Sequence, residues 1–225
     1  TADPLSGVTE GESEDARPYC ELIRRWFNLH PEFSWLPGKF KIAINGAKLD
    51  ETALRIHDLG LRLVRNEKGE LGFSVFVGGG LGAAAMIAAE TASFVPVVDI
   101  LSYLESSLRI YNLKGRRDHQ KKLRIKFLVR ELGATEFSKL VDEDWQQTKD
   151  DPDLKLNLKE LESLKKDFAL PVKPIDLDGF KDKVDFNYGI WKKNNVRSHK
   201  VSGHSIVNIS LTKLGTAPGD ATSEQ

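Results

Sequence analysis

The sequence predicts an α+β fold, a mixed sheet with flanking helices, on three observations. Strand-type runs stand at residues 39–44, 59–66 and 71–77, the first alternating charged and apolar side chains in the period of a half-buried strand. Runs with the three-and-four spacing of a helix face flank them, at 19–27, 100–111 and 123–132. The third strand then enters four glycines within five positions, Gly78, Gly79, Gly80 and Gly82. Glycine loses the most conformational freedom on folding, so such a cluster implies positive φ angles or something close to the backbone. A tight crossover accounts for it, and so does a flat or anionic ligand.

The 225 residues are 40% hydrophobic and 29% charged, which suits one large globular domain or two small ones. Lys+Arg and Asp+Glu are both 33, so no overall field draws the chain to nucleic acid or to a membrane, and any anion site is local. No apolar run approaches the roughly 18 residues of a membrane span, and the first residues lack the pattern of a signal peptide. A cytoplasmic location is expected. Cys20 is the single cysteine, which excludes a disulfide framework and any Cys-rich zinc or iron–sulfur site made by this chain alone.

In chain order, residues 1–15 are polar and read as a flexible lead-in with no site. Tyr19, Leu22, Ile23, Trp26 and Phe27 then mark a core-packing helix, with His30 as a helix-end residue before Pro31. Along 39–44, Lys39 and Lys41 share one strand face and Phe40, Ile42 and Ile44 the other. The two ammonium groups suit a solvated face or an anion. Asp50 caps a short helix through Ile56, and Glu67-Lys68-Gly69 joins the next two strands as a hairpin with Gly at the left-handed position. The alanine-rich run 83–92 reads as a helix broken at Val95-Pro96.

Asp99 reads as the cap of a helix with the buried stripe Ile100, Leu101, Leu104, Leu108 and Tyr111, stopped at Gly115. The most basic segment follows: Arg116, Arg117, Lys121, Lys122, Arg124, Lys126 and Arg130, on a helix that Asp118 caps and Gly133 closes. Cations clustered at a helix start, where backbone N–H groups point outward, suit an anion; a solvated basic face has the same pattern. A helix at 136–145, an acidic linker run at 142–153, an amphipathic helix with Leu158, Leu161 and Phe168, a proline-bearing connection at 170–178 and a strand within 196–211 complete the chain. There is no internal repeat, no Walker loop and no metalloprotease or serine-hydrolase motif, and the glycines lack the Gly-x-Gly-x-x-Gly spacing of a dinucleotide fold. Paired carboxylates such as Asp150 and Asp151 lie in polar runs and give no support to acid/base hydrolysis.

Several separate segments together resemble one family. Residues 36–43 (Leu-Pro-Gly-Lys-Phe-Lys-Ile-Ala), 57–61 (His-Asp-Leu-Gly-Leu), 66–73, the Val-Gly-Gly-Gly-Leu-Gly loop, Arg109-Ile-Tyr-Asn, Gly115-Arg-Arg-Asp and Arg124-Ile-Lys are similar to the siroheme-dependent nitrite and sulfite reductases, of the bacterial sulfite reductase hemoprotein type. The resemblance spans residues 15–220. It implies a flexible lead-in at 1–15, a first siroheme-domain half at 16–147, a linker with one amphipathic helix at 148–185, and at 186–225 the opening strand of a second ferredoxin-like half. It further implies reduction of sulfite to sulfide or nitrite to ammonia, by six electrons, at siroheme coupled to a 4Fe-4S cluster, with ferredoxin or a flavoprotein as donor. By motif position Arg124 and Lys126 would line the anion pocket. Lys39, Lys41, Arg116 and Arg117 would meet the macrocycle carboxylates, and the backbone of Gly78, Gly79, Gly80 and Gly82 would lie near the ring. No metal ligand is assigned to this chain.

The departures matter as much. The family usually carries Arg where this chain has Gly38, Arg-Thr-Pro where it has Ala83-Ala84-Ala85, and Asp-Asn where it has Asp118-His119. The four cluster cysteines belong to a later, C-terminal half. Two functions follow: part of a siroheme sulfite or nitrite reductase, inactive alone, or a heme-free or altered relative serving as a structural or binding module.

Overall fold

Asn66 directs the first hairpin. Its Oδ1 accepts the N–H groups of Lys68 and Glu70 at 3.0 and 2.9 Å, and Gly69 takes φ +79°. β2 (Leu59–Arg65) thereby turns into β3 (Leu71–Val77), in antiparallel register from Leu59 opposite Val77 to Arg65 opposite Leu71. β1 (Ile42–Asn45) runs parallel to β2, with Ile42 opposite Leu59, and β4 (Ala89–Pro96) runs antiparallel to β3. The order β1-β2-β3-β4 is the expected mixed sheet. The structure, a computed structural model, describes residues 1–169, 186–211 and 215.

Helices supply the rest of the core. α1 (Ala16–Leu29) starts at Asp15, whose carboxylate accepts the Arg17 N–H, and ends at His30. It delivers Tyr19 edge-on to Phe73, ring centroids 5.6 Å apart. α2 (Ile100–Lys114) is buried continuously from Ile100 to Leu108, so it is a central helix rather than a one-sided stripe. Buried Ser102, Ser106 and Ser107 let neighbours approach; Trp145 on α4 (Ala134–Thr148) donates from its indole to Ser102 Oγ at 2.9 Å. α3 (Ile125–Leu132) turns Ile125, Leu128 and Val129 inward and stops at Gly133, φ +80°. α5 (Leu158–Phe168) buries Leu161 and Leu164, and the Phe168 carbonyl accepts from Arg17 at 3.0 Å.

Several expectations are corrected. The alanine-rich run 83–92 is a turn followed by β4, not a helix. Alanine's preference amounts to a few tenths of a kcal/mol per residue against strand formers, roughly, and it yields to the ladder with β3 that buries Thr91 and Val95. β1 begins at Ile42, so Lys39 and Lys41 precede the strand instead of sharing one of its faces. Asp99 makes no cap bond and pairs with Lys155 at 2.6 Å, while Asp118 lies well before α3. The lead-in is tied to the sheet: Ala2 bridges Ile44 in parallel, and Ile44 N–H donates to Thr1 O at 2.8 Å. The acidic run expected as surface linker is largely α4, and residues through 169 belong to the main body.

Two compact units result, Thr1–Gly7 with Gly11–Leu170 and Val8–Glu10 with Pro171–Gln225. In the smaller, an unforeseen helix α6 (Phe186–Asn195) leads into the hairpin β5 (Val196–Ser198) and β6 (Ser205–Val207), where a single long strand is expected; Thr9 bridges His199. The connection expected at 170–178 lies outside the described residues.

The glycine loop after β3 separates two reasons for glycine. A Cβ on Gly79 would stand 2.3 Å from the Arg55 carbonyl and 2.5 Å from that of His57, whereas Gly82, φ +97°, has open space around it. Gly79→Ala is expected to cost about 2–3 kcal/mol by overpacking, and Gly82→Ala about 1 kcal/mol by backbone strain alone, as read from urea unfolding midpoints. Equal costs would contradict this division.

Candidate anion-binding site

The site is built on a buried carboxylate. Asp58 follows the short 3₁₀ turn Leu54–Ile56, which Asp50 caps by accepting the Leu54 N–H at 3.0 Å, and enters β2 with 0% exposure. Its Oδ1 accepts from the Arg124 Nε at 2.9 Å and is ion-paired with a terminal guanidinium nitrogen at 2.8 Å. Its Oδ2 accepts the Lys41 backbone N–H at 3.0 Å, and its own carbonyl accepts the Gly78 N–H at 2.9 Å. Burial pushes the Asp58 carboxyl above its ordinary range, while the Arg124 charge and the Lys41 N–H pull it back.

Arg124 is the N-cap residue of α3 and Lys126 lies in its first turn, with no acidic residue there. Cations at a helix N-terminus oppose the macrodipole, so this arrangement works against the helix unless an anion offsets it. Lys126 is only 4% exposed; its Nζ donates to Leu81 O at 3.0 Å and Ala84 O at 2.6 Å. Burial lowers the Lys126 pKa, and the nearby Arg124 charge lowers it further. The loop held in this way is closed by a reciprocal pair, Gly80 N–H to Met86 O at 2.9 Å and Met86 N–H to Gly80 O at 2.8 Å.

The chain's own packing accounts for three of the four glycines. A Cβ on Gly80 would stand 2.9 Å from Lys126 Cδ and 3.0 Å from an Arg124 nitrogen, and one on Gly78 would stand 2.9 Å from Val129 Cβ. Gly79 lies against carbonyls, and Gly82 alone faces open space. The structure thus brings together Lys41 through its backbone, Gly78, Gly79, Gly80, Arg124 and Lys126. The side chains of Lys39 and Lys41 are exposed. Arg116 pairs with Asp118 at 2.8 Å, which holds that carboxyl down at about 2, and Arg117 donates to Asn112 O at 3.1 Å.

At Gly38, where the resemblance led to an expectation of Arg, a Cβ would stand 2.9 Å from Leu123 Cβ, so a larger residue requires Leu123 to move. Tyr111 fixes that neighbourhood by donating to Leu123 O at 2.8 Å, and burial raises its phenol to about 12. The residue that sequence reasoning missed is Asp58. Its signal was a lone carboxylate directly before the strand run that starts Leu59-Gly60-Leu61. A separate cavity of about 260 Å³ has mixed walls, Thr1, Arg24 and Asn28 beside apolar Ile23, Phe27 and Ile42, and its Arg24 is committed to Glu21 at 2.7 Å.

A 4Fe-4S cluster needs four thiolates. The chain has one cysteine, whose thiol burial pushes up to about 11, and no group of three or more His, Cys, Asp or Glu among the described residues is placed to hold a metal. The cluster does not fit. An anionic macrocycle fits the charge of the donor set: exposed Lys39, Lys41 and Arg117, half-exposed Arg116, and Arg124 and Lys126 at the start of α3, which have the one carboxylate Asp58 between them. No helix among the described residues is long and apolar enough to cross a membrane.

The family model described as nitrite and sulphite reductase 4Fe-4S domain matches residues 1–149, a shorter span than the 15–220 suggested by the motifs. A sulfite reductase (ferredoxin) 1 of Mycolicibacterium paratuberculosis is 30% identical over 143 residues, 63% of this chain and 25% of the relative. The chloroplastic ferredoxin–nitrite reductase of Arabidopsis thaliana is 29% identical over 140 residues, 60% of this chain and 24% of the relative. Among solved structures, the Mycobacterium tuberculosis NirA protein superposes with a TM-score of 0.58 at 28% identity, covering 65% of this chain and 26% of that one. The chain spans about a quarter of the length of these curated relatives.

Because its folded-state pKa lies below the ordinary 10.5, Lys126 binds fewer protons folded than unfolded in the alkaline window between those values. Stability should therefore rise with pH across that window, and Lys126→Met should remove the rise, as measured by urea midpoints against pH. The same substitution leaves Leu81 O and Ala84 O without their donor, and should speed amide exchange at Gly80 and Met86 about tenfold while exchange in α2 stays unchanged.

Proposed function

The chain belongs to the nitrite and sulphite reductase family, and from that premise we propose that it forms one siroheme- and oxyanion-facing part of a larger enzyme. That enzyme reduces sulfite to sulfide or nitrite to ammonia by six electrons. The observation that carries this reading is the pair of cations at the start of α3: Arg124 and Lys126 have one buried carboxylate, Asp58, set against them and no acid in the first helical turn. A small oxyanion relieves that imbalance.

In this reading Arg124 and Lys126 bind the sulfite or nitrite oxygens. Lys39, Lys41, Arg116 and Arg117 meet the macrocycle carboxylates, and the loop carrying Gly78, Gly79, Gly80 and Gly82 approaches the ring on the open side of Gly82. Siroheme, when bound, supplies the iron at which the anion is reduced. Lys126 holds its proton less tightly than an ordinary lysine, which suits a group that gives protons to an oxygen leaving as water. The 4Fe-4S ligands come from a part of the enzyme other than this chain. Electrons come from ferredoxin, which the matched relatives carry in their names, or from a flavoprotein.

A second reading, a heme-free or altered relative acting as a structural or binding module, is favoured by one specific observation. Arg124 and Lys126 already have internal partners, in Asp58 and in two loop carbonyls. Titrating the purified chain with siroheme and following its Soret band separates the two. A saturable one-to-one shift is expected, with Arg124→Ala and Lys126→Ala each weakening the later response to sulfite by about tenfold or more while thermal unfolding moves to lower temperature but stays cooperative. No shift, with cooperative unfolding intact, favours the module; loss of folding and of sulfite response together overturns the assignment of Arg124 and Lys126.

A further inference from the structure

The three segments expected at the site, 39–41, 78–82 and 124–126, have no covalent reason to share a register, yet all three are hydrogen-bonded to one residue. Asp58 takes two guanidinium nitrogens of Arg124 on Oδ1, the Lys41 N–H on Oδ2 and the Gly78 N–H on its carbonyl. We propose that Asp58 is a positioning residue: it makes no contact with the oxyanion, but aims the Arg124 guanidinium and so sets the affinity of the site. This inference rests on the reading of Arg124 as an oxyanion-binding residue.

The geometry constrains the idea. A carboxylate with no exposed surface cannot itself meet an anion from solvent, and its charge would repel one. What it does is remove rotational freedom from an arginine that is still 26% exposed. The Nε–H is donated to Asp58 and one terminal nitrogen is ion-paired with the same oxygen, which fixes the orientation of the planar fork and leaves its other donors for a ligand. Gly80 closes the other side, since its Cα leaves no room for a Cβ against the Arg124 nitrogens. A lysine at position 124 would keep the charge and lose this two-nitrogen hold on one oxygen.

Two measurements on the full chain test it. In nitrogen-15 NMR of the arginine side chains, the Arg124 Nε–H, assigned by its loss in Arg124→Lys, should exchange slowly in the wild type. It should exchange about tenfold faster or more in Asp58→Asn, which keeps an acceptor for Lys41 N–H and drops the charge. In sulfite titrations of the siroheme-loaded chain, Asp58→Asn and Arg124→Lys should each weaken sulfite by about tenfold, and adding Asp58→Asn to Arg124→Ala should cost nothing further. Unchanged exchange at Arg124 in Asp58→Asn overturns the inference, and so does an equal loss of sulfite affinity whether or not Arg124 is present. If Asp58→Asn does not fold, Arg124→Lys decides: unchanged sulfite affinity there overturns it. No sulfite response in the wild type, or an unaltered one in Arg124→Ala, instead overturns the oxyanion reading itself, and the exchange measurement still decides whether Asp58 holds Arg124.

Discussion

Because the Asp58 carboxylate lies out of water, the protein has to fill its oxygens, and the donors that do so come from segments far apart in sequence. A buried carboxylate without partners costs several kcal/mol, roughly, so the lead into β1, the glycine loop and the start of α3 are constrained to meet there. The sheet supports this. β2 begins directly after Asp58 and runs parallel to β1 and antiparallel to β3, so the start of β2 lies beside the start of β1 and the end of β3. The chemistry of the candidate site is collected at that one edge.

Charge is distributed around this point against the ordinary preferences of a helix. α3 carries cations where its N-terminus favours anions, and Lys126 is buried where a lysine is usually solvated. Loop carbonyls, not a carboxylate, hold the Lys126 ammonium, so its full charge stays in the site. A stable fold has no need of such an arrangement, and these departures from local preference lie within residues 1–149, which the nitrite and sulphite reductase model matches.

The residue types of the candidate site were legible in the sequence, but their grouping was not. The basic segment 116–130 stands out as cations clustered near a helix start, within which only the family resemblance singles out Arg124 and Lys126, and the Gly69 hairpin and the Gly133 stop follow from the left-handed conformation that glycine accepts. The alanine run 83–92 misled because propensity is weak beside a strand ladder, and α2 exceeds its expected stripe because serines pass for a polar face until neighbours close over them. The role of Asp58 was not legible, since its partners lie 17 and 66 residues away. The glycine cluster was legible as a close approach but not as an approach by what: Val129, two carbonyls and the Arg124 and Lys126 side chains occupy the space at Gly78, Gly79 and Gly80.

By itself the sequence determined the elements that rest on local physics. These are the alternation that makes strands, the helix faces, the turn at Asn66 and Gly69, the even charge balance, and a single cysteine that rules out a cluster held by this chain alone. Only the tertiary structure decided which cations are exposed and which are held, because that depends on burial and on partners distant in sequence. Lys39 and Lys41 look alike in the sequence beside Lys126, yet they are solvated while Lys126 is enclosed, and the difference comes from the loop that β3 and β4 fold over it.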